Sequence, residues 1–274
     1  MHLYQIFAIL KISYQFISQM NNTTMSLAID NLPTNLITDD GEPMESNNHR
    51  ISMNLLIQSL KYHWRDRQDF FVGGNMFVYY SANQVKNQDF KGPDFFVVLD
   101  VDGTRNRDAW IAWEEDSHLP DVVIELMSPS TAEVDITTKK DIYERNLKTQ
   151  DYFVHDPNNA NYFRGWTLIN RRYQSLSPND QGRLYCQSLD LWLGIWQGKV
   201  ENTQGTWLRF FDSDGNLVLL PDEGENQRAE LERQQKELER QQKEEAIQQL
   251  EIERQQKERL AAKLRELGVN PDEI

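Results

Sequence analysis

The sequence predicts an α/β fold in which helices flank a mixed β-sheet and a long charged helix follows at the C-terminus. Short β-rich runs alternate with two stretches of helical periodicity, which is typical of such a sheet. The chain has 274 residues, of which 39% are hydrophobic and 11% aromatic, an ordinary globular composition. Past Pro221 the composition changes abruptly to charged residues and glutamine. We therefore expect one sizeable core followed by an appended helix.

Changes in composition divide the chain into three predicted parts. Residues 1–38 form an N-terminal extension that we expect to lack an ordered fold, residues 39–221 form the α/β domain, and residues 222–274 form the helical tail. The first residues are apolar, but they are too short for a membrane span and lack a small-residue cleavage site. Met25 resembles a natural start, so we expect the residues before it to have no role in the fold.

A predicted helix opens the domain, running from Ser46 to about Trp64. Its apolar residues recur at helical spacing, and Ser46 can cap its first turn. His49 lies on the apolar stripe, where a core histidine is more common than a catalytic base. A series of predicted strands follows, and one of these strands contains Glu125. The others cover Phe70–Val72, Met76–Tyr80, Asp94–Val101, Trp110–Trp113, Tyr152–Val154, Tyr162–Ile169, Arg172–Ser175, Leu191–Trp196, Trp207–Phe211 and Leu217–Leu220.

A second predicted helix covers residues 134–147, after turn and capping residues that end the Glu125 strand. One face of this helix carries Ile136, Lys139, Tyr143 and Leu147. Lys139 is therefore expected to point toward the core, whereas Lys140 is rotated by about a hundred degrees and should face solvent.

The tail contains a repeat with a seven-residue period. The motif Glu-Arg-Gln-Gln-Lys-Glu begins at Glu232 and recurs at Glu239 and Glu253. The apolar seam of a coiled coil is interrupted, since one heptad position holds Leu231, Leu238, Glu245, Ile252 and Arg259. Two interpretations stay open: a solitary charged helix that acts as a spacer, and a coiled coil that pairs two copies of the chain.

The formal net charge of −14 argues against indiscriminate nucleic-acid binding, because phosphate affinity comes mainly from Lys and Arg. Residues 225–274 hold 13 acidic and 10 basic side chains, so most of the negative charge precedes the tail. Any nucleic-acid contact must be local. The best candidate is a positively biased stretch past Glu125, although a solvated surface explains it equally well. This basic stretch comprises Lys139, Lys140, Arg145, Lys148, Arg164, Arg171 and Arg172.

Cysteine and histidine usage also limits the class of protein. The single cysteine, Cys186, excludes an intramolecular disulfide framework and fits a reducing compartment, so we predict a cytoplasmic location. The five histidines are scattered without the spacing of a zinc site. Zinc is therefore not expected as a cofactor.

The most informative residue is Glu125, which lies inside the apolar run of residues 122–127. Burying a carboxylate there costs several kcal/mol unless a metal ion or a cation compensates it. Asp94 opens another apolar run, and Lys139 follows on the next helix. Two carboxylates suit Mg²⁺ or Mn²⁺, and a nearby lysine can orient water or neutralise a phosphoryl oxygen. This set of residues is typical of a metal-dependent hydrolase.

Simpler interpretations of these residues stay open. Glu125 could be the structural ion-pair partner of a buried lysine. Asp94 follows a proline, which is common turn chemistry before a strand. Glu45 could supply a third carboxylate, but the helix dipole explains an acidic residue near a helix N-terminus equally well. A two-carboxylate glycosidase is less attractive because it leaves Lys139 without a role.

Several motifs around these residues resemble those of a known family. They are Gly92-Pro93-Asp94, the run Pro-Asp-Val-Val-Ile-Glu-Leu-Met-Ser-Pro-Ser-Thr from Pro120 to Thr131, and Tyr-Phe-Val-His-Asp-Pro from Tyr152. Together they resemble the Uma family of restriction endonucleases, which is assigned to the PD-(D/E)XK nuclease superfamily. The resemblance covers roughly residues 39–221.

The resemblance implies a restriction-endonuclease-like mixed sheet and metal ligation by Asp94 and Glu125, with Glu45 as a third ligand. One position departs from the superfamily pattern. The superfamily lysine stands two residues after the glutamate, where this chain has Met127. We therefore expect Lys139, from the following helix, to take its role.

Two functions are expected from these observations. The first is a Mg²⁺-dependent (or Mn²⁺-dependent) endonuclease that hydrolyses DNA without membrane attachment; Asp94 and Glu125 hold the ion, and Lys139 positions water or stabilises the transition state. The second is a catalytically inactive nuclease fold that serves as a scaffold and binds a partner through its C-terminal helix.

Overall fold

A computed structural model describes residues 36–38, 46–81, 90–128 and 131–267 of the chain. It confirms the predicted fold class, with a mixed β-sheet, flanking helices and a long C-terminal helix. Most of the expected N-terminal extension and Glu45 lie outside the described residues. The chain forms two compact units, Met1–Val218 and Leu219–Ile274.

The first unit contains most of the strands in a six-stranded mixed sheet. The strands in chain order are β1 (Phe70–Gly73), β2 (Val78–Tyr79), β3 (Phe95–Leu99), β4 (Trp110–Ile111), β5 (Val122–Leu126), β6 (Asp151–Asp156), β7 (Asn159–Ile169), β8 (Arg172–Ser175), β9 (Leu184–Cys186), β10 (Leu191–Val200) and β11 (Thr203–Phe211). The large sheet has the order β1-β3-β5-β6-β7-β8, and within it β5 and β6 are the parallel pair. A second sheet has the order β11-β10-β9, and β2 pairs with β4.

Helix α1 (Asn47–His63) begins as predicted, since the side chain of Ser46 accepts a hydrogen bond from the His49 backbone N–H. Helix α2 runs continuously over residues 132–147, and α-helical and π-helical turns alternate along it. Its α-helical turns are Ala132–Val134 and Lys140–Ile142, and its wider π turns are Asp135–Lys139 and Tyr143–Leu147.

Both faces of the large sheet are buried. One face carries Phe95, Ile124 and Phe153 and packs with Leu56 of α1 and with residues of β9 to β11. The opposite face carries alternate residues of the same strands and packs with α2. Since side chains alternate along a strand, Glu125 lies on the face covered by α2.

Most predicted strands are present, with two differences. Leu217–Leu220 is not a strand; it forms one isolated bridge, from Leu217 to Phe211. The short strand β9 was not predicted. Its pattern is clear, with Leu184 and Cys186 buried and Tyr185 exposed, but three residues are too few to distinguish a strand from a loop in sequence.

The second unit contains α3 (Pro221–Glu266), an unbroken helix of 46 residues. Glu223 accepts a hydrogen bond from the Leu220 backbone N–H and so caps the first turn. Arginines form ion pairs three or four residues along the helix, as between Arg254 and both Glu251 and Glu258. Among the described residues, none of the helices is both long and apolar enough to cross a membrane.

Candidate active site

Glu125 is placed by the middle strands of the large sheet. The antiparallel register of β3 and β5 pairs Phe95 with Ile124, so Asp94, one residue before β3, lies across from Glu125. On the other side, Glu125 pairs with Val154 of β6. The Glu125 side chain is 0% exposed. A charged group there must find its partners inside the protein.

Helix α2 supplies those partners. Lys139 Nζ lies 3.0 Å from Glu125 Oε2, and the hydroxyl of Tyr143 donates to Glu125 Oε1 over 2.8 Å. Lys139 Nζ also lies 2.8 Å from Oδ1 of Asp135, which is buried. The structure thus brings one lysine between two buried carboxylates.

The π turns of α2 explain which residues meet at this point. Asp135, Lys139 and Tyr143 are spaced by four residues, which is more than the 3.6 residues of an α-helical turn. Wider turns bring residues at a spacing of four onto one line along the helix. Asp135 therefore joins Lys139 and Tyr143 on the face that covers Glu125.

The electrostatic environment of this cluster is dominated by burial. Burial raises the pKa of Glu125 to about 8; Lys139 opposes this rise, and the nearby carboxylates Asp94 and Asp135 add to it. Burial would lower the pKa of Lys139, but Glu125 and Asp135 outweigh it and hold that pKa well above its usual range. Burial and the Glu125 carboxylate raise the pKa of the Tyr143 hydroxyl well above its usual value. Lys139 is therefore the firmly charged member of the cluster.

Asp94 is held in place by two hydrogen bonds from different parts of the chain. Its Oδ1 lies 2.7 Å from His49 Nε2, and its Oδ2 accepts from the Leu126 backbone N–H over 2.7 Å. The first contact comes from α1 and the second from the end of β5. Asp94 is partly exposed, with 16% of its side chain accessible, so the site opens to solvent beside it.

The donor chemistry of Asp94 and Glu125 fits a hard divalent cation. Both are carboxylates, and each hydrogen-bonded oxygen retains a further lone pair. Carboxyl groups also outnumber ammonium groups here, because Glu125, Asp135 and Asp94 all act electrostatically on the single lysine, Lys139. Within the described ranges, no three His, Cys, Asp or Glu side chains are grouped closely enough to hold a metal ion. The predicted third ligand, Glu45, lies outside those ranges.

Sequence reasoning assigned no role at the site to three of these residues. The helical period places Tyr143 on the Lys139 face without a function, and Asp135, four residues before Lys139 in the sequence, suggests only an ion pair with that lysine. His49 was interpreted as a core histidine, and its contact with Asp94 joins residues 45 positions apart. The four-residue spacing from Lys139 is the one signal in the sequence that could have identified Tyr143 and Asp135.

A family model and a solved structure match the chain. The crystal structure of a putative nuclease belonging to DUF820, from Anabaena variabilis, matches with 16% sequence identity over 58% of this chain and 86% of that chain, with a TM-score of 0.38. No curated protein matches. The model of the Uma2 family, described as "Putative restriction endonuclease", matches residues 33–196, which is more than half of the chain. The chain therefore belongs to the Uma2 family.

Proposed function

We propose that this protein is a Mg²⁺-dependent or Mn²⁺-dependent endonuclease that hydrolyses DNA phosphodiester bonds. The observation that carries the proposal is Glu125, a fully buried carboxylate opposite Asp94 with Lys139 at 3.0 Å. The family match supports a nuclease. We assign the activity to residues 39–221, with residues 222–274 as an appended tail, in a cytoplasmic protein whose single thiol, Cys186, is buried.

Each residue has a separate role in this proposal. Asp94 and Glu125 would hold the cation, with Glu45 as a third ligand, and the cation would supply Lewis-acid stabilisation of the phosphoryl oxygens. Lys139 orients the attacking water or neutralises charge that develops on the phosphoryl group. His49 keeps the Asp94 carboxylate turned toward the site, and Tyr143 does the same for Glu125.

A plasmid-nicking assay tests this proposal. Supercoiled DNA is incubated with Mg²⁺ or Mn²⁺ and with the wild type, Glu125→Gln or Glu114→Gln. Glu114 is an exposed glutamate on the turn after β4, so its variant controls for the loss of one carboxylate. We expect nicking by the wild type and Glu114→Gln and loss of nicking in Glu125→Gln, with unchanged circular dichroism. Equal nicking by all three proteins would overturn the proposal.

A second candidate function is an inactive nuclease fold that acts as a scaffold. It is favoured by the ion pairs that Lys139 already forms with both Glu125 and Asp135. The exposed apolar residues of α3 would then bind a second copy or another partner. These residues are Leu231, Leu238, Ile247, Leu250, Ile252 and Leu260.

Two measurements separate the scaffold from the enzyme. Calorimetric titration with Mn²⁺ should show binding that is lost in Asp94→Asn if the site holds a metal, and no binding if the protein is only a scaffold. Light scattering of the full chain, wild type against Leu238→Asp, shows whether α3 pairs two copies. A monomeric wild type would exclude a homodimer as the role of the tail.

A further inference from the structure

Strand β7 carries a basic and aromatic strip on the face of the sheet that holds Glu125. Glu125 pairs with Val154, and Val154 pairs with Arg164, so the three side chains share one face. Tyr162 and Trp166 lie two residues from Arg164 on either side and point the same way. The exposed Arg164 is thus two strand spacings, about 10 Å, from the candidate active site.

Lys140, on helix α2, adds a second cation to this strip, and both cations lie over aromatic rings. The guanidinium of Arg164 lies 4.8 Å from the centroid of the Tyr162 ring. The Lys140 ammonium, on α2, lies 5.1 Å from the centroid of the Trp166 ring. Such contacts stabilise a cation by about 0.5–1 kcal/mol at exposed sites and limit its positions, but they leave its hydrogen-bond donors available.

These two residues differ from the other basic residues past Glu125. Lys139 is paired with Glu125 and Asp135. Arg145 pairs with Asp141, and Arg172 pairs with Glu144. Across the described part of the chain, neither Lys140 nor Arg164 has an acidic partner within ion-pair distance. Their charges are therefore available to a ligand.

The two remaining residues of the basic stretch, Lys148 and Arg171, lie too far from Glu125 to bind a ligand beside it. Arg171 lies in the turn beyond Ile169, the last residue of β7. Ile169 is five residue steps along β7 from Arg164, which is about 17 Å at 3.3 Å per step. Lys148 follows Leu147, the last residue of α2, and lies shortly before Asp151, the first residue of β6, at the same far end. Both are remote from Glu125.

We propose that Lys140 and Arg164 bind the phosphate backbone of DNA beside the candidate active site and so set the position of the strand to be cut. The inference rests on the proposed function, since it takes the substrate to be DNA. A separation of about 10 Å corresponds to roughly three nucleotides along one strand, at 3.4 Å each. Arg164 would thus contact a phosphate near the scissile one without contacting the reacting atoms.

The salt dependence of DNA binding tests this inference. Fluorescence anisotropy of a labelled 20-base-pair duplex is measured with the full chain in EDTA between 50 and 300 mM KCl. Each lost phosphate contact should reduce the slope of log K against log salt by about 0.9. We expect this reduction in Lys140→Gln and in Arg164→Gln, whereas Lys140→Arg and Arg164→Lys keep the charge and should keep the wild-type slope.

Matched controls come from the opposite end of the sheet, outside the strands. Lys148→Gln and Arg171→Gln each remove one positive charge there and should leave the slope unchanged. Equal reductions in all four glutamine variants would overturn the inference, because they would reflect net charge alone. Absence of duplex binding by a correctly folded wild type would overturn it as well.

The inference and the proposed function can fail separately. If the wild type nicks DNA with Mg²⁺ but neither Lys140→Gln nor Arg164→Gln changes the slope, the inference about the strip is wrong and the proposed nuclease function is supported. If the slopes of these two variants fall as expected but no nicking occurs with any divalent cation, the strip is supported as a DNA-binding surface and the proposed nuclease function is wrong.

Discussion

The ammonium of Lys139 and the carboxylate of Glu125 lie 3.0 Å apart inside the protein, although 14 residues separate them in sequence. The pair joins the middle strand β5 to helix α2, on the face of the sheet opposite α1. Because Glu125 has 0% exposure, Lys139 rather than bulk water compensates its charge in this structure. The contact is therefore structural as well as suited to chemistry.

Removing the lysine should destabilise the protein. Lys139→Gln leaves Glu125 and Asp135 buried without a cation, and we expect a loss of roughly 3 kcal/mol in the free energy of unfolding. Urea denaturation measures this loss. Lys61→Gln, an exposed lysine near the end of α1, serves as the control and should change stability by less than about 0.5 kcal/mol. A Lys139 variant as stable as its control would contradict the structural role.

The raised pKa of Glu125 predicts how stability depends on pH. The pKa rises from 4.5 to about 8 on folding, so the folded state binds the proton more tightly than the unfolded chain. The stability that this carboxyl contributes is full below about pH 4.5 and is lost as the pH rises towards 8. Glu125→Gln has no such titration, so its stability relative to the wild type should improve across that window by a few kcal/mol, at roughly 1.4 kcal/mol per pKa unit.

Urea denaturation in EDTA between pH 4.5 and 8.5 measures this difference. The exposed Glu114→Gln variant should differ from the wild type by a constant amount over the same range. If Glu125→Gln also shows a constant difference, the pKa of Glu125 is not raised by folding.

The hydroxyl of Tyr143 should stabilise the fold through Glu125. Tyr143→Phe removes the donor to Glu125 Oε1 and leaves a buried oxygen without that bond, which costs about 1–3 kcal/mol. Thermal and urea unfolding measure the cost. Tyr62→Phe on α1 is the matched control, because among the described residues its hydroxyl makes no hydrogen bond to the protein. Equal stability of the two variants would show that the Tyr143 bond contributes nothing.

The contact between His49 and Asp94 predicts an effect on metal affinity. His49 Nε2 lies 2.7 Å from Asp94 Oδ1 and fixes the direction of that carboxylate. Losing such a supporting contact typically weakens metal binding by about 10–100-fold. His49→Ala should show this loss in a calorimetric Mn²⁺ titration, and His49→Gln, which can still donate a hydrogen bond, should recover part of it. Gln58→Ala, on the exposed side of α1, should bind Mn²⁺ like the wild type.

Local patterns were sufficient to predict much of the fold. The strands β1, β5 and β8 follow their β-rich runs closely, and α1 begins at the capping residue Ser46. The period of α2 placed Lys139 toward the sheet, and the structure has it in contact with Glu125. Patterns of this kind depend on neighbours in sequence, so they can be recognised without knowledge of the pairing of strands.

Other features depended on distant parts of the chain. Asp135, Lys139 and Tyr143 share the site face because π turns widen α2, and their four-residue spacing does not distinguish such turns from α-helical ones. The division of the basic stretch into paired and unpaired members required the positions of β7 and β8. Arg172 meets Glu144 across that packing, whereas Arg164 rests on Tyr162.

The sequence by itself determined that a carboxylate lies inside an apolar strand and that Lys139 points toward the core, because apolar runs and helical period are properties of neighbouring residues. Only the tertiary structure decided that Asp94 lies across from Glu125, that His49 holds Asp94, and that Lys140 and Arg164 remain unpaired on the same side. Contacts between distant residues follow from strand register and helix packing, which the whole chain selects together through the burial of its core.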